Sequence, residues 1–373
     1  MEVSNLIVLH VAPIGCNRSS GLLYAIPPLV SNQNKINDIK AALLLTSYKT
    51  VILPEDYDFP IFKPNKKYKY NLNELPAPFN NPDLVIFHST YILTHFKIAI
   101  ELRKKGIPYI IVPHGGMTKG AQSKKALKKK IGNLIFYNNF VKGALALHCL
   151  TQGEADETKY WNKEMFVVGN GMSIPADCEK NYSKDNKTVN VSFIGRLDLY
   201  HKGLDLLIAA INKASENIRK SNFCFNIYGP DYFGSKKVLN KQIYENKIQD
   251  IVKIYEPVFD DKKDYVLRNT DIFVHTSRFE GHPMSILEAM SYRIPCMVTP
   301  ETNMSQDILE ADAGWIVELS EESIANGINM VIQEKDLIKE KGLNARNLIK
   351  NKYSWDKIAL QTVRYYTEFL KCS

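Results

Sequence analysis

Short apolar runs that stop at a breaker and give way to a helical segment recur along both halves of this chain, and that alternation leaves few folds open. Residues 6–11, 84–87 and 109–112 are such runs in the first half; 189–194, 223–228, 251–255, 271–276 and 294–298 are their counterparts in the second. Apolar β-like runs alternating with helices predict an α/β chain whose parallel sheets are wound with helices. At 373 residues the chain is too long for one ordinary core and fits two domains. The polar stretch that follows Asn170-Gly171, as far as Thr188, suits a hinge between them.

Both halves read as Rossmann-like, and in such sheets ligands bind outside the carboxyl ends of the strands. The residues that follow each run are therefore the candidates. In the first half these are the turn-rich segment holding Gly15 and Gly21, then His88, then His114 in Pro113-His114-Gly115-Gly116, where glycines allow close backbone approach. In the second half Gly195-Arg196 closes one run, and Lys202-Gly203 opens an amphipathic helix through Leu204, Leu207, Ile208 and Ile211. Arg196 and Lys202 thus share a loop, where two cations can neutralise a diphosphate leaving group. Gly229-Pro230 and Glu256-Pro257-Val258 repeat the strand-then-breaker rhythm.

The most distinctive junction runs from Ser277 to Met290. Glu280 lies in its loop, Gly281 and Pro283 break the chain, and a helix is predicted from Met284 to Tyr292 with Glu288 in its opening turns. Free N–H groups at that helix start would attract a phosphate between the two carboxylates, leaving sugar hydroxyls to the acids.

Composition excludes several classes. An apolar content of 45% with 24% charged residues is that of a globular protein without repeats or low-complexity segments. The first ten residues lack a basic region followed by a long apolar core, and no stretch is long enough to cross a bilayer, so a cytoplasmic protein is expected. Six cysteines, Cys16, Cys149, Cys178, Cys224, Cys296 and Cys372, stand at no metal-binding or redox spacing. The net charge is +8, and part of it is concentrated in Lys119, Lys124, Lys125, Lys128, Lys129, Lys130 and Lys142, with no acid between the first and last of these. Interleaved with Leu127, Ile131, Leu134, Ile135, Phe136, Tyr137 and Phe140, these lysines read as a basic amphipathic helix. Either it lies on an anionic membrane face, or it is a solvated helix whose apolar side packs on its own domain. No nucleic-acid reader motif accompanies it, so no nucleic-acid partner is expected.

Gly195-Arg196 with Lys202-Gly203, the Glu280 to Glu288 junction, Asn170-Gly171 and Pro113-His114-Gly115 together resemble the retaining glycosyltransferases of family 4, which have the GT-B fold. The resemblance covers nearly the whole chain, and its nearest echo is to members acting in bacterial exopolysaccharide and lipopolysaccharide synthesis. It implies two Rossmann-like domains with sheets facing across a cleft, residues 1–169 on the acceptor side and 170–352 on the donor side. A C-terminal helix within 353–373 would return to the first domain. It implies transfer of a sugar from a UDP- or GDP-sugar to a glycan or a polyprenyl-diphosphate-linked glycan, with no cofactor, on or near the inner face of the cytoplasmic membrane.

Residue by residue, Arg196 and Lys202 match the pair that binds the donor diphosphate. Glu280 matches the acid that touches the transferred sugar, and Glu288 the one that grips the ribose. Gly281, His282, Pro283, Met284 and Ser285 would meet the phosphates, while Gly229 and Val258 would lie by the nucleobase. Gly15 or Gly21 would close on the phosphates. His114 matches the histidine near sugar and acceptor, with His88 and Gly115 on the acceptor side. Because the cation pair can replace a divalent ion, metal-independent transfer is expected. The alternatives are a sugar-nucleotide epimerase on the same fold and a non-catalytic partner subunit.

Two positions depart from the family pattern. Arg293 stands where relatives commonly have glycine; if the backbone there is left-handed, a non-glycine residue costs about 1 kcal/mol. Glu301 stands where glycine is also common, and a solvent-facing loop position is the expected explanation.

Overall fold

The computed structural model describes residues 5–15, 18, 20–47, 53, 56–63, 71–123, 126–161, 163–176 and 188–372. Cys16, Cys178, Lys124, Lys125 and most of the expected hinge lie outside them. The chain divides into two compact units, one formed by residues 1–171 with 355–373 and the other by 172–354.

The first unit holds a seven-stranded parallel sheet. Its strands are β1 (Leu6–Ala12), β2 (Ile39–Leu45), β3 (Ile61–Phe62), β4 (Leu84–His88), β5 (Tyr109–Val112), β6 (Ala146–Cys149) and β7 (Met165–Val167), in the order β3-β2-β1-β4-β5-β6-β7. Most central-strand side chains are buried, which is why these strands read as continuous apolar runs rather than alternating ones. One face packs a core of Leu9, Val11, Phe87, Ile98, Tyr109, Ile111 and Phe140. The last helix, Trp355–Lys371, belongs to this unit and buries Ile358, Ala359, Thr362, Val363 and Tyr366, the stripe expected of a helix with one packed face. It packs against the helix Gly21–Gln33, and its Tyr365 stacks on Phe166 of β7 with centroids 4.7 Å apart.

The second unit holds a six-stranded parallel sheet of β8 (Val189–Ile194), β9 (Phe223–Tyr228), β10 (Val252–Tyr255), β11 (Ile272–His275), β12 (Cys296–Val298) and β13 (Gly314–Ile316), in the order β10-β9-β8-β11-β12-β13. Its core joins Phe193, Phe225 and Ile227 to Leu204, Leu207, Ile208 and Ile211 of the helix Leu204–Lys213 and to Ile324 and Ile328 of the helix Glu321–Gln333.

Both sheets reverse their strand order once, between β1 and β4 and between β8 and β11. At such a switch point the connections leave to opposite sides and open a crevice at the carboxyl edge. The Gly15 and His88 segments flank the first crevice; Gly195-Arg196 and Ser277 to Glu280 flank the second.

The basic stretch is not one regular helix. It consists of Lys119–Ser123, Ala126–Gly132, a π-helical turn Asn133–Tyr137 and Asn138–Lys142. Leu127, Ile131, Leu134 and Ile135 are 75%, 52%, 79% and 52% exposed, so the expectation that its apolar side packs on its own domain fails at these four; Phe140 alone is fully buried. No helix among the described residues is long and apolar enough to cross a membrane.

Candidate functional site

In the second unit the site is built around one buried carboxylate. Three donors converge on Glu280 Oε1: Lys202 Nζ at 2.5 Å, Ser277 Oγ at 2.7 Å and His275 Nε2 at 3.0 Å. Burial pushes the Glu280 carboxyl up, and the Lys202 charge with the hydrogen bond from His275 outweighs it, so the group is held well below the usual carboxylate range. The His275 imidazole is lowered by its burial and by Lys202, so it is neutral and donates from Nε2. Glu280 is anchored at its backbone as well: its N–H donates to Glu301 O at 3.0 Å, and its carbonyl accepts from Asn303 Nδ2 at 2.7 Å.

The loop from Gly195 to Gly203 sets the cations. His201 N donates to Asp198 Oδ1 at 3.0 Å and His201 Nε2 to Phe279 O at 2.8 Å. The ring stacks on Phe279 with centroids 4.1 Å apart, so His201 ties the two loops of the crevice together. With Nε2 committed, Nδ1 faces Arg196 Nη2 at 3.4 Å, while the guanidinium lies 4.7 Å over the Tyr232 ring. Gly203 starts the helix with φ +62°, and a Cβ there would strike Thr276 O; a Cβ on Gly229 would strike Gly195 O. Both glycines are demanded by backbone approach between strand ends. Arg278 is a structural clamp, making two 2.8 Å bonds to Asp205 and one of 2.7 Å to Tyr200 O.

The helix Met284–Ser291 begins after Pro283 with no side-chain cap, so the first-turn N–H groups of Met284 and Ser285 have no intrahelical acceptor. Glu288, one turn on, pairs with Lys263 of the helix Asp260–Arg268 rather than with anything around Glu280. His282 turns inward, its ring 5.1 Å from that of Tyr353, and burial lowers it to about 4. Glu301 departs in part from the solvent-facing expectation: the residue is half-buried and its Oε2 is buried. Arg293 stands at φ +59°, so the left-handed condition raised for that position is met.

In the first unit the edge is occupied by a file of histidines. His114 Nε2 lies 3.0 Å from His88 Nδ1, His88 Nε2 lies 2.9 Å from His10 Nδ1, and His10 Nε2 lies 2.8 Å from Gln33 Oε1. Sheet register explains the file. His10 pairs with Ile86 and His88 with Val112, so each histidine sits two residues beyond its neighbour's partner, on the same face, one step nearer the edge. His88 is 1% exposed with both ring nitrogens engaged, which corrects its placement at the acceptor side: it reaches a ligand only through His114. His114 is half-buried at φ +51° and is followed by Gly115 at φ +75°. Glu154 holds this turn, accepting from Gly115 N and, at 2.7 Å, from Leu150 N. Gly15 follows β1, where a Cβ would meet only Ser47 Oγ at 3.5 Å, so packing does not require a glycine there.

His275, Ser277, Asn303, Lys263, Glu154, His10 and Gln33 were not anticipated. His10 and His275 carried the same signal as His88, a histidine at or near the end of an apolar run. Glu154 stood in Thr151-x-x-Glu154, a capping-box spacing, and the Thr151 hydroxyl does cap that helix at 3.1 Å. Among the described residues no group of three His, Cys, Asp or Glu side chains is disposed to hold a metal. The chain does contain an Asp-x-Asp triplet, Asp56-Tyr57-Asp58, whose two carboxylates are exposed in the irregular segment before β3.

Residues 177–355 match the family model described as Glycosyl transferases group 1. An uncharacterized glycosyltransferase of Methanocaldococcus jannaschii is 24% identical over 356 residues, covering 81% of this chain and 88% of that protein. One subunit of human phosphatidylinositol N-acetylglucosaminyltransferase is 25% identical over 54% of this chain and 40% of its own length. Among solved structures, sucrose-phosphate synthase of Thermosynechococcus elongatus aligns at a TM-score of 0.74 with 14% identity, over 98% of this chain and all of that one. Anabaena HepE in complex with UDP-glucose aligns at 0.74 with 17% identity, over 97% and 99%. The likeness to these structures is one of fold, and the fold is GT-B.

Proposed function

With residues 177–355 as a glycosyl transferases group 1 domain on a GT-B fold, we propose that this chain transfers a sugar from a UDP- or GDP-sugar to a glycan or lipid-linked glycan, with retention and without a metal. The observation that carries the reading is the Lys202–Glu280 pair beside Arg196 at the β8/β11 switch point. A diphosphate that arrives there meets two cations and the uncapped start of the helix Met284–Ser291, a combination that favours developing negative charge over a neutral ligand.

Each residue then has a task. Arg196 and Lys202 stabilise the leaving diphosphate. Glu280 Oε1 is occupied by three protein donors, and its Oε2 takes none of these three, leaving that oxygen to accept from hydroxyls of the transferred sugar. Glu288 exchanges Lys263 for the ribose. His114 is assigned to a ligand hydroxyl. The bond from the anomeric carbon to the phosphate oxygen breaks, the acceptor oxygen bonds to that carbon on the same face, and the acceptor proton passes to the departing phosphate. Positioning and electrostatics do the work, so loss of one preorganised donor costs about 10² to 10³ in turnover. The ground for metal independence is the cation pair.

HepE, of like fold, was solved with UDP-glucose, which favours a nucleotide donor, and the human relative is named as a subunit of a phosphatidylinositol N-acetylglucosaminyltransferase, which favours a lipid-borne acceptor. The exposed Leu127, Ile131, Leu134 and Ile135 among lysines fit an anionic membrane face, beside an open hollow of about 580 Å³ lined by Lys130, Lys142, Tyr160 and Trp161. A thermal-shift screen of UDP- and GDP-sugars identifies the donor, because a ligand that binds only the native state raises its melting temperature. Lys202→Ala and Glu288→Ala should each all but abolish turnover in folded protein, a loss of about 10² to 10³ or more; wild-type-like turnover in both overturns the reading. Turnover of donor without acceptor and without transfer would indicate an epimerase instead.

A further inference from the structure

The histidine file ends in the last helix. Gln33 Nε2 donates to Thr362 Oγ1 at 3.0 Å, and the Thr362 hydroxyl donates to Ala359 O at 2.8 Å. Since that hydroxyl proton is spent on Ala359, Thr362 Oγ1 can only accept from Gln33, and the amide is turned so that Oε1 faces His10. An amide oxygen accepts only, so His10 carries its proton on Nε2. A neutral imidazole has one N–H, so His10 Nδ1 accepts, and His88 must donate from Nε2. By the same step His88 Nδ1 accepts and His114 donates from Nε2. Burial keeps the file neutral, lowering His10 to about 4, His114 to about 3 and His88 well below the usual range.

We propose that Thr362, Gln33, His10 and His88 form a one-way hydrogen-bond relay that holds His114 as its Nε2–H tautomer, so that His114 Nδ1 presents an acceptor to a ligand O–H. The four are positioning residues. Turning the Gln33 amide over would reverse every step and make Nδ1 a donor, so the hydroxyl of Thr362, with that of Tyr366 beside it and Gln33, sets which chemical group His114 recognises. With the relay as built, His114 favours a sugar hydroxyl over a carbonyl or phosphate oxygen. That consequence rests on the transferase reading; the relay itself does not.

The test is ¹⁵N NMR of the whole chain labelled at its eight histidines, without ligand, with resonances assigned by single substitutions. His114 is expected to show a protonated Nε2 and a bare, pyridine-like Nδ1. Gln33→Met should abolish that exclusivity and give both tautomers, and Gln33→Glu, measured at a pH where the new carboxylate is ionised and can only accept, should restore it. Thr362→Val frees the amide to turn and should also yield both, which keeps the question open to measurement if Gln33→Met does not fold. A wild-type His114 protonated on Nδ1 overturns the proposal, as does an unchanged tautomer in every folded variant. If the tautomer is as stated and no sugar is transferred, the relay stands and the functional reading falls.

Discussion

Lys202 Nζ lies 2.5 Å from Glu280 Oε1, both about one-tenth exposed and 78 residues apart in sequence. Breaking a nearly buried pair from one side strands the other charge. Lys202→Met should therefore cost roughly 3 kcal/mol, at the lower end of the buried-pair range, and the Lys202→Met/Glu280→Gln double variant much less than the sum. Urea denaturation of the four proteins measures the coupling. Additive losses would mean that the pair is not formed in solution.

Glu154 should matter to the first unit because it ties the turn after β5 to the end of β6. Its carboxylate accepts from Gly115 N and Leu150 N, and Glu154→Ala leaves both N–H groups without that acceptor, for a loss of about 1 to 3 kcal/mol per group. Glu154→Gln keeps one carbonyl oxygen and should lose less. Denaturation midpoints of the two variants give the comparison.

Acid should weaken the first unit well before carboxylates titrate. His10 and His148 are lowered by burial to about 4 against an ordinary value of 6.5, so unfolded chain binds protons that folded chain does not. The stability they contribute is complete above pH 6.5 and is lost as pH falls toward 4, on the order of 2 kcal/mol per histidine by pH 5. Thermal melts at pH 7, 6 and 5 should show a falling midpoint, with a shallower slope in His148→Gln.

Arg293 at φ +59° gives a stabilising substitution. Arg293→Gly should raise stability by about 1 kcal/mol by relieving the left-handed backbone. An unchanged or lower midpoint would show that contacts of the Arg293 side chain outweigh that strain.

Leu127 and Leu134, 75% and 79% exposed, can be changed without disturbing a core. Leu127→Ser/Leu134→Ser should keep the wild-type melting temperature and float less with anionic vesicles. Equal recovery of the wild type with neutral and anionic lipid would remove the electrostatic argument.

Part of the strand set was legible because parallel strands buried on both faces leave apolar runs, and the runs 109–112, 189–194 and 223–228 coincide with β5, β8 and β9; β2, β3, β6, β7 and β13 were not anticipated. The positions of Arg196, Lys202, Glu280 and His114, next to breakers after strand ends, were legible for the same reason. What packs on them was not. Register between strands decides that His10, His88 and His114 form a file, and the pairs it brings together are 78 and 26 residues apart in sequence. The basic stretch read as one helix because its charge pattern is continuous, whereas a π-helical turn interrupts it; Glu301 read as surface because nothing local shows that one of its carboxylate oxygens is buried.

Thr362 lies 329 residues downstream of Gln33. On the ribosome, every strand of the second unit is made before the helix that completes the first. The earlier-made unit therefore finishes later, and it waits with Gln33 unpartnered by Thr362 while its successor can already close. A chain truncated before residue 355 should retain a folded second unit and a first unit that lacks its final helix and is open to protease.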